Sequence, residues 1–219
     1  MLVAQDGGKM SRVRNSEIAA LIEWLCLTFA TIIKMVRDGV RTTLDLDDLK
    51  IAMQAVIDDY RYRFKIWKTI RIGVHKNADE YREAIKDAGG KIGDWANDIM
   101  STAFTVVDQQ PTFLTLVLVT VAELGYEKGA TLADICKRAI GLGLELCPAE
   151  VGPALRLQYM DQPNDEWMII GMEPIAASRS HLEVFYVDRD GDGLWLDASH
   201  SYPDYLWSGY HRFVFVRRK

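Results

Sequence analysis

Three cysteines in 219 residues are too few, and too scattered, for a disulfide framework. Cys26, Cys136 and Cys147 each lie in an apolar run, without CxxC or Cys/His spacing, so they read as buried, reduced thiols. No P-loop, no GxSxG elbow and no GxGxxG fingerprint occurs, which removes the motif-bearing nucleotide, hydrolase and dinucleotide classes. Positive charge is not in excess: the formal net charge of -5 argues against a wholesale nucleic-acid coat. An uninterrupted membrane-length apolar run is also missing. Ile18–Val36 comes nearest, but Glu23 and Lys34 break it, and it reads as the central helix of a bundle. The first residues carry no signal-peptide core and read as a flexible tail over 1–14. These exclusions point to a cytoplasmic protein with no membrane partner.

What is present is a change of period near Pro111. Before it, apolar residues recur at helical spacing. Helix one is expected over Asn15–Asp38, capped at Asn15 or Ser16 and ended by Gly39. Helix two is expected from Asp45, with Leu49, Met53, Val56, Tyr60, Phe64 and Trp67 forming one buried stripe before Gly73. Helix three starts at Asn77, with Glu80 three residues on, and ends at Gly89-Gly90. A fourth runs from about Lys91 to Val107. After Pro111 the apolar runs become short and strand-like: Phe113–Ala122, Leu144–Leu146, Ala154–Tyr159, Trp167–Met172, Leu182–Val187, Leu194–Asp197 and Arg212–Arg217, with one helix at Thr131–Gly141. The expected fold class is α+β. A helical bundle (15–108) precedes a small α+β module (112–219) with a bent, mostly antiparallel sheet or open barrel.

Charge is unevenly distributed. Residues 1–108 carry 16 basic and 16 acidic side chains, and residues 109–219 carry 10 and 15. Between Tyr60 and Ala78 there is no acidic residue, but there are six basic ones. Of these, Arg61, Lys65 and Lys68 would line one face of helix two. With Arg63 and Arg71 they form a candidate nucleic-acid surface, although a solvated face near a helix C-terminus explains the same pattern.

In the second half, Asp188-Arg-Asp-Gly-Asp-Gly193 has Asp188, Asp190 and Asp192 at the first three acidic positions of a calcium loop, but Ser199 replaces the closing Glu. An Asp-Gly hairpin turn is the simpler reading, and no other cofactor is expected. His181, His200 and His211 lie near Asp190, Asp197 and Asp204, a residue set suited to acid–base or metal chemistry, without recognised ligand spacing. The aromatics Trp195, Tyr202, Tyr205, Trp207 and Tyr210 are candidates for a partner-binding surface or for covering one end of the barrel.

The run GLGLELCPAEVGPALRLQYMDQP, with EWMIIGMEPI and RFVFVRRK, resembles a C-terminal segment recurring in bacterial hypothetical proteins, over about 112–219. That resemblance implies no activity, cofactor or catalytic residue. The leading expectation is therefore a non-enzymatic binding or interaction protein, docking a protein partner or self-associating. A nucleic-acid-binding regulator is the alternative. A hydrolase or nuclease-like toxin using the C-terminal histidines and aspartates is the second alternative.

Overall fold

The computed structural model describes residues 64–217 apart from 103, 105, 107–109, 179 and 180. All of them belong to one unit of the chain, Asp58–Lys219. The expected tail, helix one and most of helix two lie outside the described residues, as do Arg61 and Arg63.

The described chain opens with strand β1 (Lys68–Ile72), helix α1 (Ala78–Asp87), the short strand β2 (Lys91–Ile92) and helix α2 (Asp94–Thr102). Strand β3 (Thr112–Thr120), β4 (Ala130–Thr131), helix α3 (Leu132–Gly141), β5 (Leu144–Glu145) and helix α4 (Val151–Gln158) follow. Then come β6 (Glu166–Ile170), β7 (Ile175–Ala176), β8 (Leu182–Asp190), β9 (Gly193–His200), β10 (Leu206–Trp207) and β11 (Arg212–Arg217).

Nine of these strands make one curled sheet, ordered β1-β3-β11-β6-β8-β9-β2, with β5 added to β11 and β7 to β8. A separate pair joins β10 to β4. β11, late in the sequence, lies in the sheet interior: Val214 pairs with Leu118 of antiparallel β3 and with Ile170 of parallel β6. All of Phe213–Val216 are buried, so both faces of this strand are covered. Helix α4 packs against α1, β1, β8 and β9, and α2 against β7, β8 and β9.

This architecture corrects the expected helical bundle followed by a separate α+β module. Strands from both sides of Pro111 share the one sheet. Residues 68–72, expected in helix two, form β1, because Ile70 and Ile72 are buried while Thr69 and Arg71 are exposed. That is a period of two, and β1 pairs with β3 through Ile70↔Leu114. The expected fourth helix is confined to α2, and Lys91 pairs instead with Trp195 of parallel β9. Ala154–Tyr159, expected as a strand, falls largely in α4. This helix buries Val151 through Arg156 without interruption, and a short wholly buried run has no periodicity to separate helix from strand.

Elements with a polar start signal stand where the sequence places them. Asn77 Oδ1 accepts the Glu80 N–H at 2.9 Å and starts α1. Thr131 Oγ1 accepts the Asp134 N–H at 3.2 Å and starts α3. Among the described residues no helix is long and apolar enough to cross a membrane.

Candidate functional site

The β8–β9 hairpin brings together residues from its open end, away from the turn. Glu183 of β8 stands directly opposite His200 of β9. Their side chains point the same way in an antiparallel pair, so the two functional groups meet. His181, two residues before Glu183, brings its ring to 5.2 Å from that of His200. One ligating atom from each of His181, Glu183 and His200 lies within 4.8 Å of the others.

Burial sets the electrostatics. Glu183 is fully buried while the His200 side chain is about one-third exposed. Glu183 Oε1 and His200 Nδ1 are hydrogen-bonded to each other. Glu183 Oε2 and His181 Nδ1 are both buried and unpartnered. Desolvation pushes the Glu183 carboxyl above its usual range, and the neighbouring His200 and His181 only partly oppose this. Two aromatic rings flank the histidines: Trp95 of α2 at 4.8 Å from His200, and Tyr202 at 5.3 Å from His200 and 5.9 Å from His181.

Asp197 ties α2 to this hairpin. Its Oδ1 accepts from the N–H groups of Ala96 (3.3 Å) and Ala198 (2.8 Å), and its Oδ2 accepts from the Tyr186 hydroxyl (3.3 Å). A carboxylate at the first turn of α2 is favoured by the helix dipole. The approach requires Gly93, where a Cβ would stand 2.1 Å from the Asp197 carboxyl carbon.

The segment 201–210 continues from His200. Trp207 is buried and touches Tyr205 (5.0 Å between ring centroids), His211 (5.5 Å), Phe213 (5.5 Å) and Trp167 (6.2 Å). In the same segment Tyr202, Tyr205, Leu206 and Tyr210 stand 44%, 45%, 60% and 77% exposed, which makes them a ledge rather than a core. Backbone contact holds the segment down. A Cβ at Gly129 would lie 2.7 Å from the Trp207 carbonyl oxygen, and Gly129 has φ +96°, open to glycine at little cost. Of the five aromatics expected at a partner surface, Tyr202, Tyr205 and Tyr210 are exposed, and Trp207 is buried beneath Tyr205. Trp195 lies apart on β9, where Lys91 Nζ sits 4.9 Å above its ring and its Nε1 donates to Asp190.

Several expected sites take other shapes. Lys68 and Arg71 lie on a strand, so the single helical face through Arg61, Lys65 and Lys68 does not extend to Lys68. Lys68 Nζ lies 4.3 Å over the Tyr159 ring and 3.9 Å from Asp161, and the Gln158 side-chain amide bonds the Arg71 backbone N–H and C=O at 2.9 and 2.8 Å. In the Asp188–Gly193 run, Asp190 Oδ1 accepts from the N–H groups of Asp192 (2.8 Å) and Gly193 (3.1 Å), which closes the hairpin turn. Asp188 is half-buried, and the Arg156 guanidinium donates to its carbonyl at 3.1 Å.

His181 and His200 meet, whereas His211 packs among Trp167, Trp207 and Tyr210. Ser178 Oγ donates to Asp98 at 2.9 Å. Burial pushes the Cys136 thiol up to about 12 and the Cys147 thiol higher, which keeps both protonated. Sequence reasoning passed over Glu183. The available signal was its alternation with His181 and its register with His200, and that register exists only once the hairpin is aligned. Comparison with known protein families, with curated proteins and with solved structures finds no match.

Proposed function

We propose that the chain is an interaction protein rather than an enzyme, and that its docking surface is the 201–210 ledge. The observation that carries this reading is the exposure of Tyr202, Tyr205, Leu206 and Tyr210 within one ten-residue segment anchored by the buried Trp207. Rigid tyrosines with an apolar body and a polar tip contribute contact area at low entropic cost, which is why interfaces favour them. The free thiols of Cys136 and Cys147 suit a reducing compartment such as the cytoplasm.

The partner argued here is a second copy of the chain. The molecule carries net charge -5, so two copies repel each other over most of their surface. Segment 201–210 holds one charged residue, Asp204, so two copies can approach through it at little electrostatic cost. A two-fold dimer would use this same patch on both copies. The nucleic-acid alternative loses the continuous helical face that motivated it, and it draws on Lys65, Lys68 and Arg71 alone among the described residues.

Size-exclusion chromatography with light scattering, run on the full chain over a wide dilution series, tests the reading. The expected result is a concentration-dependent dimer that the double substitution Tyr205→Ser with Tyr210→Ser shifts to monomer. Both side chains are exposed, so the fold should tolerate their loss. A monomer at every concentration, or a variant that associates like the wild type, would overturn the reading.

A further inference from the structure

Two buried atoms at the open end of the β8–β9 hairpin have no partner: Glu183 Oε2 and His181 Nδ1. A plain His–Glu pair accounts for Glu183 Oε1 and His200 Nδ1 and leaves the other two atoms unsatisfied. Each such atom carries a desolvation penalty that no hydrogen bond offsets. Glu183 is itself fully buried, so bulk solvent does not relieve it.

We propose that His181, Glu183 and His200 form a binding site for one divalent transition-metal ion, with zinc as the first candidate. A cation satisfies the carboxylate and both imidazoles at once. Two neutral imidazoles with one carboxylate are the donor set that suits zinc and its first-row neighbours, whereas calcium and magnesium prefer all-oxygen shells.

The geometry is close to what a tetrahedral ion needs. Zinc bonds of about 2.0–2.2 Å place donor atoms roughly 3.3–3.5 Å apart. The three donors already lie within 4.8 Å of one another, so small side-chain rotations close the set. Two of them come from paired strands and are held in register by the backbone. On binding, the ion replaces the proton held between Glu183 and His200, and that proton leaves to solvent. Three protein donors leave a fourth tetrahedral position for water or another donor. The site stands independently of the association reading above, because none of its three donors belongs to the ledge.

The test is calorimetric titration of untagged full chain with zinc chloride, backed by cobalt(II) titration followed in the visible spectrum. Expected are one equivalent of zinc per chain, intense cobalt bands of a low-coordinate N/O site, and quenching of Trp95 fluorescence by bound cobalt. Glu183→Gln keeps the side-chain shape and is expected to weaken zinc binding by at least about tenfold. His200→Ala is expected to weaken it similarly. Because a buried substitution can disturb folding, far-ultraviolet circular dichroism of each variant is recorded. His181→Asn, at a half-buried position at the strand end, gives a third readout with less structural risk. Absence of stoichiometric binding to the wild type, or equal binding by all folded variants, would overturn the proposal.

Discussion

His211 sits against Trp167, Trp207 and Tyr210, with ring centroids 5.2, 5.5 and 4.6 Å away. Its Nδ1 is buried and unpartnered. Burial holds its imidazole below the ordinary value of 6.5, partly opposed by a hydrogen bond to the Ser208 backbone. The sign follows from proton counting. As pH falls through about 6.5 the unfolded chain protonates this histidine before the folded chain does, so this residue's contribution to stability falls with pH. His211→Gln should remove that component. Urea denaturation of wild type and variant at about pH 7.5 and about pH 5.5 gives the comparison, and the wild type is expected to lose more stability on acidification. An identical pH response in the two proteins would show that His211 is not coupled to folding. Glu183, with its raised carboxyl value, acts in the opposite sense, which is why the difference between the two proteins, not either curve alone, carries the information.

At the scale of elements, α4 shows how a charged residue can serve as a core fastener. Arg156 is buried, and its Nη1 donates to Gln162 Oε1 at 2.6 Å, to the Asp188 carbonyl at 3.1 Å and to the Trp195 carbonyl at 3.4 Å. Its Nη2 donates to the Tyr159 carbonyl. One side chain thus ties the end of α4 to β8 and β9. Desolvation, with Arg189 nearby, lowers its value to about 10, which leaves it charged at neutral pH. Arg156→Met keeps most of the volume and strands several carbonyls without donors. It should destabilise the fold by about 2–4 kcal/mol, measured by chemical denaturation, and a change below about 0.5 kcal/mol would contradict the fastening role. This element also marks the limit of what the sequence reveals. Asn77 and Thr131 announce α1 and α3 because a cap is a local hydrogen bond encoded within four residues. The β8–β9 hairpin is legible for the same reason, through Asp190 and the Asp-Gly turn. α4 and β1 are not legible, because their states are set by partners distant in sequence: Arg156 needs the carbonyls of Asp188 and Trp195, and Ile70 needs Leu114. In the site, the histidines and the exposed tyrosines could be picked out by residue type. Glu183 could not, since burial and register, which no single position encodes, place it in the cluster.

For the molecule as a whole, the position of β11 governs how the fold assembles. The strand is made late and sits in the interior of the sheet, with β3 on one side and β6 on the other. Its backbone is used beyond the ladder as well: the Val214 carbonyl accepts from Gly171 N–H at 2.9 Å and from Cys147 Sγ at 3.3 Å. Phe215 fills the space over Gly171, where a Cβ would stand 2.3 Å from its ring. Until residues 212–217 are available, β3 and β6 each lack the partner strand on the edge they turn toward β11. The closing step is therefore a long-range pairing between residues 112–120 and 212–216, which slows folding and makes it cooperative. A chain ended after His211 should lose the sheet as a unit, not one strand at its margin. Near-ultraviolet circular dichroism and thermal unfolding provide the measurement: the full chain should show fixed aromatic signals and one sharp transition, and the shortened chain neither. A shortened chain that kept a cooperative transition would mean that β3 and β6 can close on each other, and that β11 is an added strand instead of the keystone of the sheet.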